Sequence, residues 1–170
     1  MKRSLIFVIT FCLIFTPAVF AGIDSKKAAY QGGTTKDADF PGASAAVEGI
    51  LSTSDPDNLM FEYKLKNQQR VYKIQFNQII DIEYGQKAGR RVGASIATAL
   101  LLTPLGLFLL FSKKRKHFVT IGYKGTSGKD EVAVFELGKD IVRVILPILE
   151  ARSGKKIEYQ DDEAKKSSKG

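Results

Sequence analysis

LMFEYKLKNQQRVYKIQFNQIIDIEY, residues 59–84, decides the fold class. Leu59, Phe61, Tyr63 and Leu65 alternate with Met60, Glu62, Lys64 and Lys66, the period of two that puts successive side chains on opposite faces of a strand. Asn67-Gln68 reads as a turn. Tyr72, Ile74 and Phe76 then alternate with Lys73 and Gln75, completing a hairpin. After Asn77-Gln78, Ile80, Ile82 and Tyr84 alternate with Asp81 and Glu83 in a third strand that stops at Gly85. The expectation is a three-strand meander with one face buried.

The pattern extends on both sides. Toward the N-terminus, residues 28–35 and 46–53 read as two strands weakened by glycines, with a turn at Phe40-Pro41-Gly42. Toward the C-terminus, Val119, Ile121 and Tyr123 form a strand, Gly125-Thr126-Ser127-Gly128 turns the chain, and residues 132–137 return it. Ile141, Val144, Ile145, Ile148 and Leu149 then fall at the spacing of an apolar helical stripe, closed by Gly154 as a C-terminal cap. Pro147 predicts a kink or break near Val144. Residues 160–170 are charged and without periodicity, which predicts a disordered tail. The fold class is mainly β with a C-terminal α-helix.

Two apolar segments bracket this reading. Met1-Lys2-Arg3 precedes an apolar run from Leu5 to Phe20 that closes on Val19-Phe20-Ala21, the three-part pattern of a secretory signal peptide over residues 1–21. An uncleaved membrane anchor is the alternative. Phe11 before Cys12 argues against a lipoprotein signal. The second segment, residues 92–111, carries no charge; Arg90 and Arg91 precede it, and Lys113, Lys114, Arg115 and Lys116 follow it. As one helix it would span about 30 Å, the thickness of a bilayer core. Strands before Tyr84 and after His117 that share one sheet, however, require both its ends on the same side of the membrane. Thr103-Pro104-Leu105-Gly106 supplies a turn, so a helical hairpin with arms of about 18 Å and 12 Å is expected. Its turn would need protein or water partners at that depth.

Arg90, Arg91, Lys113, Lys114, Arg115 and Lys116 would then all meet one anionic headgroup surface. Gly89, Gly93 and Ala97 continue a four-residue spacing from Gly85, giving a smooth helix face for close packing against a second helix. Gly85 and Gly89 read equally well as the exit from a strand.

The formal net charge is +8, and removal of a leader carrying Lys2 and Arg3 lowers it to +6. Export directs a basic balance toward membrane lipid and away from nucleic acid. Cys12 is the single cysteine, so the exported chain has no disulfide framework and no thiolate site. His117, the single histidine, stands beside basic side chains that lower its pKa and has no orienting carboxylate nearby in sequence. It reads as a surface or interfacial residue. Gly122 to Asp130 fails as a phosphate loop, because its glycine spacing is one residue too long and Asp130 stands where a hydroxyl should be. Gly32-Gly33 is an isolated pair, and Asp161-Asp162-Glu163 reads as a solvated tail rather than a cation site. No cofactor or metal is expected.

Two weak strands, a meander, a hairpin and a closing helix together resemble the pleckstrin-homology-like barrel, a bent barrel of about seven strands plugged by a C-terminal helix. EYGQKAGRRVG (83–93), SKKRKHFVTIGY (112–123) and AVFELGKDIVRVILPILEARSGKKIEY (133–159) resemble a group of exported bacterial proteins of uncharacterised function. The likeness covers most of residues 22–159 and implies a pleckstrin-homology-like domain there, with 92–111 inserted as an apolar helix or hairpin. No activity comes with it. The basic lipid-phosphate hairpin of eukaryotic pleckstrin-homology domains is not matched, since Lys36 to Ser44 contains Asp37, Asp39 and Pro41.

The leading functional expectation is a non-enzymatic, membrane-associated module of the cell envelope for scaffolding or protein interaction. Its partners would be membrane lipid and a second copy or another envelope protein. A soluble exported oligomer that buries the apolar segment is the first alternative, and an exported carboxylate hydrolase ranks far behind. A topological rival keeps the first segment uncleaved and passes the second once through the membrane.

Overall fold

Eight strands, β1 (Asp24–Gly33), β2 (Val47–Ser52), β3 (Asn58–Leu65), β4 (Gln68–Gln75), β5 (Ile79–Gly85), β6 (His117–Lys124), β7 (Asp130–Leu137) and β8 (Ile157–Tyr159), form one sheet in the order β4-β3-β2-β1-β7-β6-β5-β8. Helix α1 (Lys139–Ser153) follows β7, and α2 (Asp162–Lys169) follows β8. The computed structural model describes residues 24–34, 46–86 and 116–169. The expected leader, the Phe40-Pro41-Gly42 turn and segment 92–111 lie outside these residues, as do Gly89, Arg90, Arg91, Gly93, Ala97, Lys113, Lys114 and Arg115.

β3 and β4 form the predicted hairpin, paired in unbroken register from Asn58↔Gln75 to Leu65↔Gln68. Its turn falls one residue earlier than expected. Lys66 and Asn67 take φ of 48° and 64°, the two positive values that a two-residue turn needs to match strand twist. Leu59, Phe61, Tyr63, Tyr72 and Ile74 are buried, as the alternation requires.

The meander is a correction. β5 does not pair with β4; it lies at the other end of the sheet between β6 and β8. A 3-10 turn, Phe76–Gln78, redirects the chain: the Phe76 ring is buried and its N–H donates to the Asp57 carbonyl at 2.8 Å. The register shifts between Ile79 and Asp81, so Ile79 rather than Ile80 joins the core.

The sheet bends back on itself. β4 and β6 stand five places apart, about 24 Å in a flat sheet. Even so, the hydroxyls of Tyr72 on β4 and Tyr123 on β6 meet at 2.7 Å. The Phe61 and Phe135 ring centroids, from β3 and β7, are 5.3 Å apart. Tyr30, Leu51, Phe61, Ile82, Tyr84, Ile121 and Phe135 fill the enclosed space, each side chain contributing about 1.5–3 kcal/mol relative to exposure.

α1 closes that core with Val142, Ile145, Leu146 and Leu149. This stripe is rotated from the predicted one: Val144 is 44% exposed, and Ile141 and Ile148 sit at the margin. The helix runs on through Pro147 without the predicted break. Pro147 and Arg143 are both exposed, so water can serve the carbonyl that proline leaves without a helical donor. Gly154 is the cap predicted, with φ of 68° and its N–H on the Glu150 carbonyl at 3.0 Å. Arg152, in the last turn, donates to the Thr53 and Asp55 carbonyls and lies 5.3 Å from the Phe76 ring centroid. That one side chain ties the helix end to the β2–β3 loop and the 3-10 turn.

The tail is the second correction. Residues 157–159 add a short parallel strand to β5, and 162–169 are helical rather than disordered. Asp161 makes the helix start by accepting the Ala164 N–H on Oδ1 at 2.7 Å, with Asp162 and Glu163 in the first turn. Ala164 is fully buried in the core.

Candidate functional site

Segment 87–115 leaves the sheet after β5 and returns just before β6. These strands are antiparallel neighbours in which Gly85 is the register partner of Phe118. Both ends of the insertion therefore enter the fold at one place, about 5 Å apart. The side chains gathered there form the candidate site.

On the core side stands Tyr84. Its hydroxyl lies 2.6 Å from His117 Nδ1 and 3.1 Å from Ser167 Oγ, and the Tyr84 and His117 rings stack with an interplanar angle of 3°. Ser167 Oγ also lies 2.9 Å from the Ala164 carbonyl. One assignment uses each hydrogen once: imidazole Nδ1–H donates to Tyr84, Tyr84 to Ser167, and Ser167 to the Ala164 carbonyl. The chain locks α2 onto the root of the insertion. Burial, reinforced by the charges of Lys139 and Arg143, holds the His117 imidazole below its ordinary pKa. Burial also pushes the Tyr84 phenol up, the Ser167 hydroxyl partly opposing it. His117 reaches a phenol here and not a carboxylate, and no nucleophile lies against its ring among the described hydrogen bonds.

On the opposite face, Lys116 Nζ meets Glu136 Oε2 at 2.8 Å, and Gln31 Nε2 donates to the same oxygen at 2.6 Å. Lys116 is the one predicted lipid-contact residue within the described part, and its charge is engaged by Glu136. A cleft of about 560 Å³ borders this cluster, lined by Ala29, Glu48, Ile50 and Glu136 among others. Gly85, read as either helix packing or strand exit, is the last residue of β5. A Cβ there would fall 1.8 Å from the Gln160 side chain, and the Gln160 N–H donates to the Tyr84 carbonyl at 3.1 Å. A side chain at position 85 would have to displace the Gln160 amide from this place.

Further along β5, the Asp81 carboxylate lies over Gly122 with Oδ1 buried, and the Gly122 backbone N–H partly offsets the cost of that burial. Burial first, and the Glu158 charge second, push its carboxyl pKa up. Among the described residues no cluster of three or more His, Cys, Asp and Glu side chains is placed to hold a metal ion. No described helix is long and apolar enough to cross a membrane.

Sequence reasoning named Lys116 and His117 but missed Tyr84, Ser167, Glu136, Gln31 and Gln160. Gln31 and Glu136 were detectable as polar residues inside apolar strands. Ser167 was hidden by the reading of the tail as disordered, although Asp161 followed by Asp162 and Glu163 has the form of an N-cap with an acidic first turn. Comparison with protein-family models and with curated proteins finds no match to this chain.

Proposed function

We propose that the protein is a non-enzymatic, pleckstrin-homology-like module of the cell envelope, held at an anionic membrane by the apolar segment 92–111 and its basic flanks. The observation that carries this reading is the register pair Gly85↔Phe118. A segment whose two ends are neighbours on adjacent strands can dip into a bilayer and return. It cannot cross once without opening the β5–β6 ladder. Arg90, Arg91, Lys113, Lys114 and Arg115 then lie beside one headgroup layer, each adding about 1 kcal/mol near an anionic surface. Lys116 contributes to the fold through Glu136 instead.

The barrel assignment is supported by seven antiparallel strands preceding a helix that buries its apolar stripe, and by the bend that brings Tyr72 to Tyr123. β8 and α2 are additions to that plan. Export rests on the leader pattern of residues 1–21.

Cell fractionation of the full chain and of a variant lacking 92–111 tests the anchor. The full chain is expected in the membrane fraction and the deletion in the soluble one; equal membrane retention of both overturns the reading. N-terminal sequencing of the extracted protein is expected to begin at Gly22, and a start at Met1 would instead favour an uncleaved first anchor.

A further inference from the structure

One margin of the sheet is open. Among the described strands β4 stands last in the order, and β3 alone pairs with it. Lys66 and Asn67 form a two-residue turn, so Leu65↔Gln68 is a hydrogen-bonded pair and such pairs recur at every second residue of the ladder. The N–H and C=O groups of Gln69, Val71, Lys73 and Gln75 are therefore directed away from β3. The side chains of the same four residues are exposed. Sheet edges are usually blunted by brevity, proline or a bulge. β4 has eight residues, no proline and no shift of register against β3. Its guard is charge instead, since it carries Arg70 and Lys73 and no carboxylate. Beside the C-terminal half of this margin runs a cleft of about 410 Å³, lined by Asn58, Lys73, Gln75, Gln78, Lys124 and Thr126 among others. The amide and hydroxyl groups among them can donate to and accept from a peptide backbone.

We infer that the β4 margin is a docking strand for an extended acidic segment of another protein, which adds to the sheet beyond β4 and lies over this cleft. Backbone hydrogen bonds supply the affinity in this mode of recognition, and side chains the selectivity. Charge decides between occupants. In an antiparallel pair, side chains two residues off the directly opposite position are diagonal neighbours, about 7–8 Å apart. Two copies of β4 paired about Val71 set their Arg70 side chains diagonal to each other, and pairing about Tyr72 does the same for Lys73. Moving the centre to Arg70 or Lys73 puts the like charges directly opposite. A partner with carboxylates at those places turns each repulsion into an attraction, so the same two cations exclude a copy and admit an acidic strand. Across the hairpin, Lys64 reinforces that sign opposite Gln69, while Glu62 opposes it opposite Val71. On the far lip of the cleft Lys124 is neutralised by Asp130, which leaves Lys73 as the cation facing the occupant. The inference uses the sheet alone and is independent of membrane attachment.

The probe is a fluorescent, end-blocked eight-residue peptide of threonine and valine with two glutamates three residues apart, the spacing of Arg70 and Lys73. Titrated into the purified full-length protein, it is expected to bind saturably. Amide exchange at Gln69, Val71 and Lys73 should slow by about tenfold or more on binding, while Arg70, Tyr72 and Ile74, which donate to β3, change little. Arg70→Glu combined with Lys73→Glu should weaken the peptide by about tenfold or more and strengthen a version with lysines in place of its glutamates. Both side chains lie at the surface, so the variant is expected to keep the parent's urea midpoint and far-UV spectrum. Val71→Pro removes one outward N–H, leaves the β3 ladder whole and should lose most of the binding. No binding at millimolar peptide refutes the inference, as does equal binding of both peptides to parent and variant. Slow exchange at Gln69, Val71 and Lys73 before peptide is added also refutes it. If that slowing grows with protein concentration, the margin belongs to a second copy; if it needs anionic vesicles, it belongs to lipid. These readouts separate the two proposals: a soluble protein that binds the peptide overturns only the anchor, and a membrane-bound protein that ignores it overturns only the docking strand.

Discussion

Along β3 and β4, Lys64, Gln69, Val71, Lys73 and Gln75 stand in water while their neighbours enter the core. Along β6 and β7 the corresponding outward positions hold Phe118, Thr120, Val132 and Val134, all buried. The two halves of one sheet therefore obey different composition rules. A strand with one wet face must alternate; a strand covered on both faces reads as a continuous apolar run. HFVTIGYK and DEVAVFEL are of the second kind, and the half they belong to is the half that carries the insertion.

The comparison can be broken most directly by size. Phe61→Ala, in the shared core, is expected to cost about 3–5 kcal/mol. Phe118→Ala on the outer face should cost a similar amount in urea denaturation, and a loss below about 1 kcal/mol would mean that this face is not a second packed layer. Tyr84→Phe comes next. It removes the middle of the His117–Tyr84–Ser167 chain and should cost about 1–2 kcal/mol, with faster amide hydrogen exchange concentrated in α2.

A smaller effect follows pH. The folded state depresses the His117 pKa, so the unfolded chain binds the proton more readily. The stability this contributes is complete above about pH 6.5 and is lost as pH falls through the folded value. His117→Gln should flatten that decline when urea midpoints are compared between neutral and mildly acidic pH. Smallest of all is Val71→Lys on the wet half, expected within about 0.5 kcal/mol of the parent, since Val71 is already 44% exposed. A loss comparable to Phe118→Ala would erase the distinction between the halves.

How much of this was readable varies along the chain for physical reasons. The β3–β4 hairpin was legible because its wet face forces an alternating pattern. β6 and β7 were legible as strands from their turn and β-branched content, but their doubly buried character was not drawn from the run of apolar residues. The break between β4 and β5 was invisible: Ile80, Ile82 and Tyr84 alternate correctly whichever neighbour they pair with, and only the burial of Phe76 turns the chain away. Helix α1 was read about one residue out of phase, since Ile141, Val142, Val144 and Ile145 are all apolar and only packing selects among them. The tail failed because a lysine-rich stretch hides one buried contact, Ala164, whose value depends on the surface it meets. Of the candidate site, the two ends of the insertion were legible; the residues that knit them together were not, because they come from four distant parts of the sequence.

β8 gives the sheet two unlike ends. One is β4, an eight-residue margin carrying Arg70 and Lys73; the other is a three-residue stub running parallel to β5. Strand addition between copies needs a long free margin on each partner. Among the described strands only β4 offers one, so joining two β4 margins would use up both templates. Among the described strands, edge-to-edge pairing through β4 would stop at two copies, because the β8 end gives a further copy only three residues to pair with.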